Sequence, residues 1–281
     1  GLIEEVAANV PRLDYSDGGC PSLLLEPERL QKIQYSELFS NASWVKSGIL
    51  NLSSGQVSPK GDLSAFKIVE DTSTGSHRVY TGGFNSVANK TFTLSVFIKQ
   101  SGRTWFNLSV FKANDGTSVG GDASFDVANG VVGTVTFGTS KIEPYADGWY
   151  KCSYTFACDA SATSLTVYNL IAEANSDSTY TGDGTSGVYI FGAQLEEGSF
   201  GTSYIPNYGT SAGITRSADT ANGAGNASTF NDSEGVLMAE ISYLEDTVGS
   251  SRRIGIFNSN AQNNRLVITV GQNLGEIKIY A

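Results

Sequence analysis

A chain of 281 residues with only 16% charged side chains, 32 glycines and abundant Ser, Thr and Asn has the usage of an all-β protein with many turns, and is long enough to bury one large or two medium cores. Its formal net charge of -10 argues against a nucleic-acid groove, which needs clustered Lys and Arg to displace counterions. Nowhere does an apolar run reach the roughly 18 residues of a spanning helix, so no membrane insertion is expected. No secretory signal is visible, and the opening GLIEEVAANV, with Leu2, Ile3, Val6 and Val10 wanting cover, reads as the middle of a longer polypeptide.

Residues 1–34 contain PRLDYSDGGCPSLLLEPERL (Pro11 to Leu30), in which SDGG reads as a turn and LLLEP as a short strand stopped by Pro27. A segment this small closes no core, so it is expected to be an N-terminal connector that packs on a neighbour. From Tyr35 onward strand patterns succeed one another: AFKIVED at 65, HRVYTGG at 77, TFTLSVFIK at 91, TWFNLSVFK at 104, ASFDVANG at 123, WYKCSYTF at 149, SLTVYNLIA at 164 and GVYIFGAQLE at 187, parted by Gly, Asn and Asp clusters. Alternation orients them. Phe92, Leu94, Val96 and Ile98 share one face, Phe106, Leu108 and Val110 another, and Tyr150, Cys152, Tyr154 and Phe156 repeat the pattern. About eight antiparallel strands with one apolar face each predict an antiparallel jelly-roll β-sandwich over residues 35–205. Residues 206–232 have no sustained period and read as a linker. Strand patterns return at 235, 252, 265 and 276, so 233–281 is expected to be a second, incomplete β-domain, since four strands do not close their own edges.

Catalytic machinery is not visible. There is no phosphate-cradling GxxxxGK[ST], no HExxH and no GxSxG. Glu196 and Glu197 are adjacent at a strand end, so their side chains point to opposite faces and do not flank one substrate bond as a glycosidase pair must. One is expected to cap a turn or face solvent, the other to pair with a basic residue. His77 is the single histidine and has no Cys at ligand spacing, which excludes an ordinary zinc site and favours local hydrogen bonding at a strand end. Cys152 and Cys158 bracket a strand and are expected to be free thiols. Asp62 and Asp147, beside Gly61 and Gly148, read as turn formers rather than calcium ligands. Arg216 and Asp219 are expected to pair with each other or to orient the second domain. No cofactor and no metal is expected.

The aromatic residues are the better lead, because a sugar ring presents apolar C–H faces that stack on exposed rings while amides and hydroxyls satisfy its hydroxyl groups. Trp105 falls opposite the Phe106, Leu108 and Val110 face, beside Asn107 and with Phe97 expected across the ladder; ligand contact and burial in a core or subunit interface both remain open for it. Trp44 and Trp149 read as core. His77 and Tyr80, from the HRVYTGG strand, complete the candidate ligand-binding set of Trp105, Asn107, Phe97, His77 and Tyr80.

PRLDYSDGGCPSLLLEPERL resembles a connector that recurs in bacteriophage virion proteins. GAQLEEGSFGTSYIPN followed by TRSADT resembles the closing strand and exit of the carbohydrate-binding-module-like jelly rolls of phage tail fibres, and YSELFSNASW, SPKGDLSAFKI and DGWYKCSYTF keep that family's order of elements. SEGVLMAEISYL with RRIGIFN and NRLVITV resembles a laminin-G or concanavalin-like sandwich. The chain has Arg29-Leu30-Gln31 where Arg-Thr-Asn is usual in the family, so it departs at Leu30 and Gln31, and it departs again at Phe191, where a Trp is usual. Gly192, Ala193 and Gln194 stand where more distant jelly rolls carry the paired Asp of a structural calcium site, so that metal is not expected. The resemblance implies a phage virion structural protein, a fibre, spike or decoration component, exposed at the virion surface after assembly in the bacterial host cytoplasm. Its implied partners are other virion proteins, host cell-surface polysaccharide and further copies in a homotrimer. The alternative is a carbohydrate-binding accessory module of a secreted polysaccharide-degrading enzyme.

Overall fold

The computed structural model describes residues 1–7, 10–15 and 21–220, together with short strands at 252–257, 265–270 and 277–280. It divides into two compact units, Gly1–Asp219 and Thr220–Ala281. In the second unit, Arg252–Phe257, Arg265–Val270 and Ile277–Tyr280 pair antiparallel in sequence order. The GVLMAEISYL pattern at 235 lies outside the described residues.

The first unit is an antiparallel jelly-roll β-sandwich with an N-terminal connector. Its strands are β1 (Val45–Ser47), β2 (Ile49–Gln56), β3 (Ala65–Glu70), β4 (His77–Asn85), β5 (Thr91–Ser101), β6 (Trp105–Lys112), β7 (Ser118–Asp126), β8 (Val131–Val135), β9 (Thr139–Pro144), β10 (Tyr150–Ala157), β11 (Ser164–Ala172) and β12 (Gly187–Glu197). One six-stranded sheet, the front sheet, has the order β8-β7-β6-β11-β4-β1; the other, the back sheet, has the order β9-β10-β5-β12-β3-β2. Consecutive segments cross between the layers, as from β3 to β4 and from β11 to β12. Several neighbours in space, such as β6 and β11, β4 and β11, and β5 and β12, are therefore distant in sequence.

The period-two pattern determines which side chains meet between the layers. Phe106, Leu108 and Val110 of β6, with Leu165, Val167 and Ile171 of β11, face Phe92, Leu94, Val96 and Ile98 of β5 and Cys152, Tyr154 and Phe156 of β10, all at most 1% exposed. Burying each large side chain contributes about 1.5–3 kcal/mol, which is why a one-residue slip of any strand is excluded. Asn169 sits in this inner face, 1% exposed, paired across the ladder with Leu108 and Val79, and neither of its amide atoms has a protein partner. Cys152 and Cys158 are free and buried, and burial pushes both thiols up, Cys158 to about 11.

The outer face of the back sheet carries a second apolar layer. In β12 the register shifts between Phe191 and Gln194, and Gly192, with a φ of 63°, supplies the extra residue. A Cβ there would lie 3.1 Å from the rings of both Phe97 and Tyr204, so glycine is required by conformation and by space. This bulge sends Phe191, Gln194 and Glu196 outward, where Phe191 joins Phe97 and Trp149 beneath Tyr145 and Tyr204.

The connector and the segment after β12 close over that layer. Arg29–Gln31 pairs antiparallel with Ile214–Arg216, and the buried Gln31 side chain donates to the Ala193 carbonyl (2.8 Å) and accepts from the amides of Ile33 (3.0 Å) and Leu195 (2.9 Å). Residues up to Asp219 thus pack in the same unit as the sandwich. Arg216 and Asp219 do not pair with each other as expected from their spacing. Arg216 holds the 5%-exposed Glu26 (2.8 Å), while Asp219 accepts from Arg12 and from the Glu26 amide (2.7 Å). The partners come from the connector, which no local pattern reveals.

Candidate functional site

The outward side of the front sheet is built by alternation on β4, β11 and β6. Tyr80 and Tyr168 are directly opposite in the β4–β11 ladder, and their rings stack with centroids 4.9 Å apart and planes 23° from parallel. Arg78, two residues along β4 on the same face, lays its guanidinium 4.9 Å from the Tyr168 centroid and 5.5 Å from that of Tyr80. Phe111 of β6 meets the Tyr168 ring edge-on at 5.1 Å. Tyr80, Tyr168, Phe111 and Trp105 all keep part of their surface open to solvent.

Beside this aromatic group runs a polar floor. Asn107 is 2% exposed and its side-chain carbonyl has no protein partner; Ser109, 3% exposed, donates to Asp122 across the β6–β7 ladder. Ser124 accepts the Ser176 amide (3.1 Å), which ties the loop after β11 to the edge of the face. The Nε of Arg78 is likewise buried and without a partner, so one unpaired acceptor and one unpaired donor lie beneath the open rings. Buried polar atoms of this kind cost free energy unless a partner arrives.

Three members of the sequence-derived set, Trp105, Asn107 and Tyr80, lie on this face. Trp105 is half-buried at its end, where a Cβ on Gly133 would come within 2.6 Å of its ring and 2.5 Å of Asn175, so the indole is clasped along one side. His77 and Phe97 are placed elsewhere, against the expectation. His77, 0% exposed, points between the sheets, with Nδ1 2.7 Å from the Gly48 carbonyl and its ring 4.7 Å from that of Tyr180. Alternation along β4 puts residue 77 on the side opposite Tyr80's neighbour Arg78. Phe97 belongs to the back sheet, 1% exposed under the connector, and is not across a ladder from Trp105. No sequence signal marks Tyr168, Arg78 and Phe111 as a group, because the β4–β11 and β6–β11 registers join segments about 60 to 90 residues apart and period-two patterning carries no information on which strands pair.

Glu196 and Glu197 do face opposite ways. Glu196, 0% exposed, accepts from Gln194 Nε2 (2.8 Å) and from the amide (2.8 Å) and hydroxyl (2.7 Å) of Thr202, whereas Glu197 meets Lys90 at the surface (2.7 Å). Asp62 is a turn former: burial raises its carboxyl, and the hydrogen bonds from Ser58 and Ser64 with Lys60 nearby more than offset this, leaving it at about 2. Among the described residues no three His, Cys, Asp or Glu side chains gather into a metal-sized group.

No family model matches this sequence, and no curated protein matches it. Solved structures with a related strand arrangement include the enzymatically active domain of tailspike protein 4 of bacteriophage CBA120, at 11% identity and a TM-score of 0.39 over 60% of this chain and 21% of that one. Another is the CBM22-1 and GH10 pair of the Clostridium thermocellum endo-1,4-β-D-xylanase 10B complexed with xylohexaose, at 15% identity and a TM-score of 0.36, covering 65% of this chain and 30% of the other. A third is the carbohydrate-binding module TmCBM27, whose structure addresses mannan recognition, at 11% identity and a TM-score of 0.33, covering 62% and 97%. The chain thus spans about a fifth of the tailspike domain. Likeness at this distance carries no ligand or partner across, and the jelly-roll assignment rests on the strand order itself.

Proposed function

We propose that this chain is a non-catalytic carbohydrate-binding module, with the outward face of the front sheet as its binding surface. The observation that supports this most is the asymmetry of the two outer faces. The back sheet's is sealed by the chain's own connector, with Phe97 and Phe191 at most 1% exposed, while the front sheet's keeps Tyr80, Tyr168, Phe111 and Trp105 partly open beside the unpaired Asn107 carbonyl and Arg78 Nε. Apolar rings next to a few unpaired polar atoms suit a sugar, whose C–H faces stack while its hydroxyls both donate and accept.

On this reading the module is an exposed adhesion component of a phage virion, a fibre, spike or decoration protein displayed on the particle surface and binding host-surface glycan. The support is the connector and closing-strand resemblance in the sequence. Partners are other virion proteins and further copies of the chain, with a laminin-G-like β-domain following the sandwich. Titration calorimetry against a panel of bacterial surface polysaccharides tests the binding. At least one should bind, and Tyr168→Ala should weaken it roughly thirty-fold, the effect of losing an anchor residue worth about 2 kcal/mol. Equal binding by the variant, or none by the unmodified chain to any member of the panel, sinks the proposal.

A further inference from the structure

The front face carries an arginine without a counter-charge. Of the five arginines in Gly1–Asp219, Arg12, Arg29, Arg103 and Arg216 each meet a carboxylate at 2.6 to 3.6 Å, on Glu26, Glu196, Glu70 and Glu26 in turn. Arg78 meets none among the described residues. The shortfall is not one of acids, since the chain holds 28 Asp and Glu against 18 Lys and Arg. The two cations at the ends of β6 are both taken, Arg103 by Glu70 and Lys112 by Asp159 at 2.7 Å.

Nor does Arg78 float free in solvent. It is half-buried, its Nε is enclosed, and its guanidinium is held over the Tyr80 and Tyr168 rings. Part of its hydration is therefore lost and no protein acceptor replaces it, so an anion delivered there gains more than it would at a fully solvated arginine. The terminal nitrogens, unlike Nε, are not enclosed. They form the planar fork that takes the oxygens of a carboxylate or phosphate two at a time.

The acidic side chains of this face stand apart from that cation. The ladders set Arg78, Leu170, Asn107 and Ser124 in one row across β4, β11, β6 and β7. Asp122 and Asp126 are on β7, three strands from β4, which is roughly 14 Å at ordinary strand spacing and beyond the Debye length of about 8 Å at physiological salt. Both are engaged, Asp122 with the Ser109 hydroxyl and Asp126 with the Ala128 and Asn129 amides. Asp71, after β3, lies 3.6 Å from Nδ1 of His77, which is on the other side of β4. The long-range repulsion expected from a net charge of -10 is screened over the same length, so contact with Arg78 decides.

We propose that the ligand of the front face is an acidic polysaccharide, whose uronic acid carboxylate or backbone phosphodiester seats on Arg78 while an adjoining ring packs on the open aromatic surface. This rests on the reading of that face as a glycan-binding surface and narrows it to one class of glycan.

Titration calorimetry of the whole chain at physiological salt tests it, with alginate, hyaluronan and oligosialic acid, the methyl ester of each, glycerol-phosphate teichoic acid, and neutral dextran and mannan. At least one acidic probe should bind, and methylating a bound carboxylate probe should weaken it roughly tenfold or more, the effect of losing a charge-assisted hydrogen bond. Arg78→Gln should weaken the acidic probe by a similar factor and leave the methyl ester unchanged, with Arg78→Lys, which keeps the charge without the fork, in between. Binding of teichoic acid alone, lost in the same order, assigns the phosphodiester. The ester comparison uses the unmodified chain and Arg78→Lys keeps the charge, so the test does not depend on Arg78→Gln folding. Equal binding of acid and ester, full affinity for the acidic probe in Arg78→Gln, or binding of dextran or mannan alone overturns the proposal and leaves the glycan-binding reading standing. Binding of no polysaccharide removes both.

Discussion

Arg103→Met should destabilise the sandwich by about 3–5 kcal/mol, because among the described residues it removes the only cation facing a carboxylate cut off from water. Glu70, at the end of β3, is 0% exposed. It accepts from Arg103 through Nη2 (2.6 Å) and Nε (3.0 Å), from the Tyr180 hydroxyl (2.6 Å) and from the Asp183 amide (2.9 Å). The guanidinium also stacks 4.7 Å from the Tyr180 ring and reaches Glu173 at 3.4 Å. With the arginine gone, two hydrogen bonds remain to a buried charge that no other described residue neutralises. For a domain of this size the loss corresponds to a fall of roughly 6–20 °C in Tm. Urea unfolding followed by tryptophan fluorescence measures it. The double variant Arg103→Met/Glu70→Leu should recover most of the loss, since an apolar pair of similar volume replaces a buried ion pair at little cost. Arg103 precedes β6 and Glu173 follows β11, next to Trp105 and Ala172 at the end of the front face, so the single variant should also weaken polysaccharide binding. A change below 1 kcal/mol in the single variant would refute the reasoning, because it would mean that Glu70 is not held by this pair.

The pH dependence follows from the same carboxylate. Burial raises the Glu70 carboxyl, but the hydrogen bonds from Arg103, Tyr180 and Asp183 outweigh it and leave the folded value below the ordinary 4.5. A lowered folded value contributes stability that is present above pH 4.5 and lost as the pH falls through the folded value. In Arg103→Met, burial without a cation raises the folded Glu70 carboxyl above 4.5, so the variant gains stability as the pH falls toward 4.5 while the unmodified protein loses it below 4.5; the stability gap between the two proteins should therefore begin to narrow above pH 4.5 and go on narrowing below it in urea titrations run from pH 7 to 3; a gap constant over that range refutes the assignment. Asn169→Leu should raise stability by about 1–3 kcal/mol, since it replaces an amide with no protein partner by an apolar group of similar size between Leu108 and Val79. A loss of stability on denaturant unfolding would show that Asn169 has a partner in solution, ordered water being the obvious one.

Much of the architecture is legible in the sequence because a strand with one buried face must alternate, and alternation is a local property. It identifies the inward residues of β5, β6 and β10, sets Glu196 and Glu197 on opposite sides, and puts Trp105 and Asn107 together on the face away from the core. Trp44 and Trp149, read as core, are each 1% exposed. Local patterning says nothing about which strands become neighbours. The Tyr80–Tyr168 stack, the Arg78 guanidinium over the Tyr168 ring, and the contacts of Arg216 with Glu26 and of Asp219 with Arg12 join residues roughly ninety to more than two hundred positions apart. Nor does alternation tell the layers apart: Phe97 and Trp105 both point away from the sandwich core, yet one is sealed under the connector and the other stays partly open. Chain order and side-chain period thus settle that this is a layered antiparallel β-protein and which side of each strand is apolar. Which outer face stays open, and which rings meet on it, depends on long-range pairing and on where the connector lies down, and these are set by the summed burial of surfaces that come together only in the folded chain.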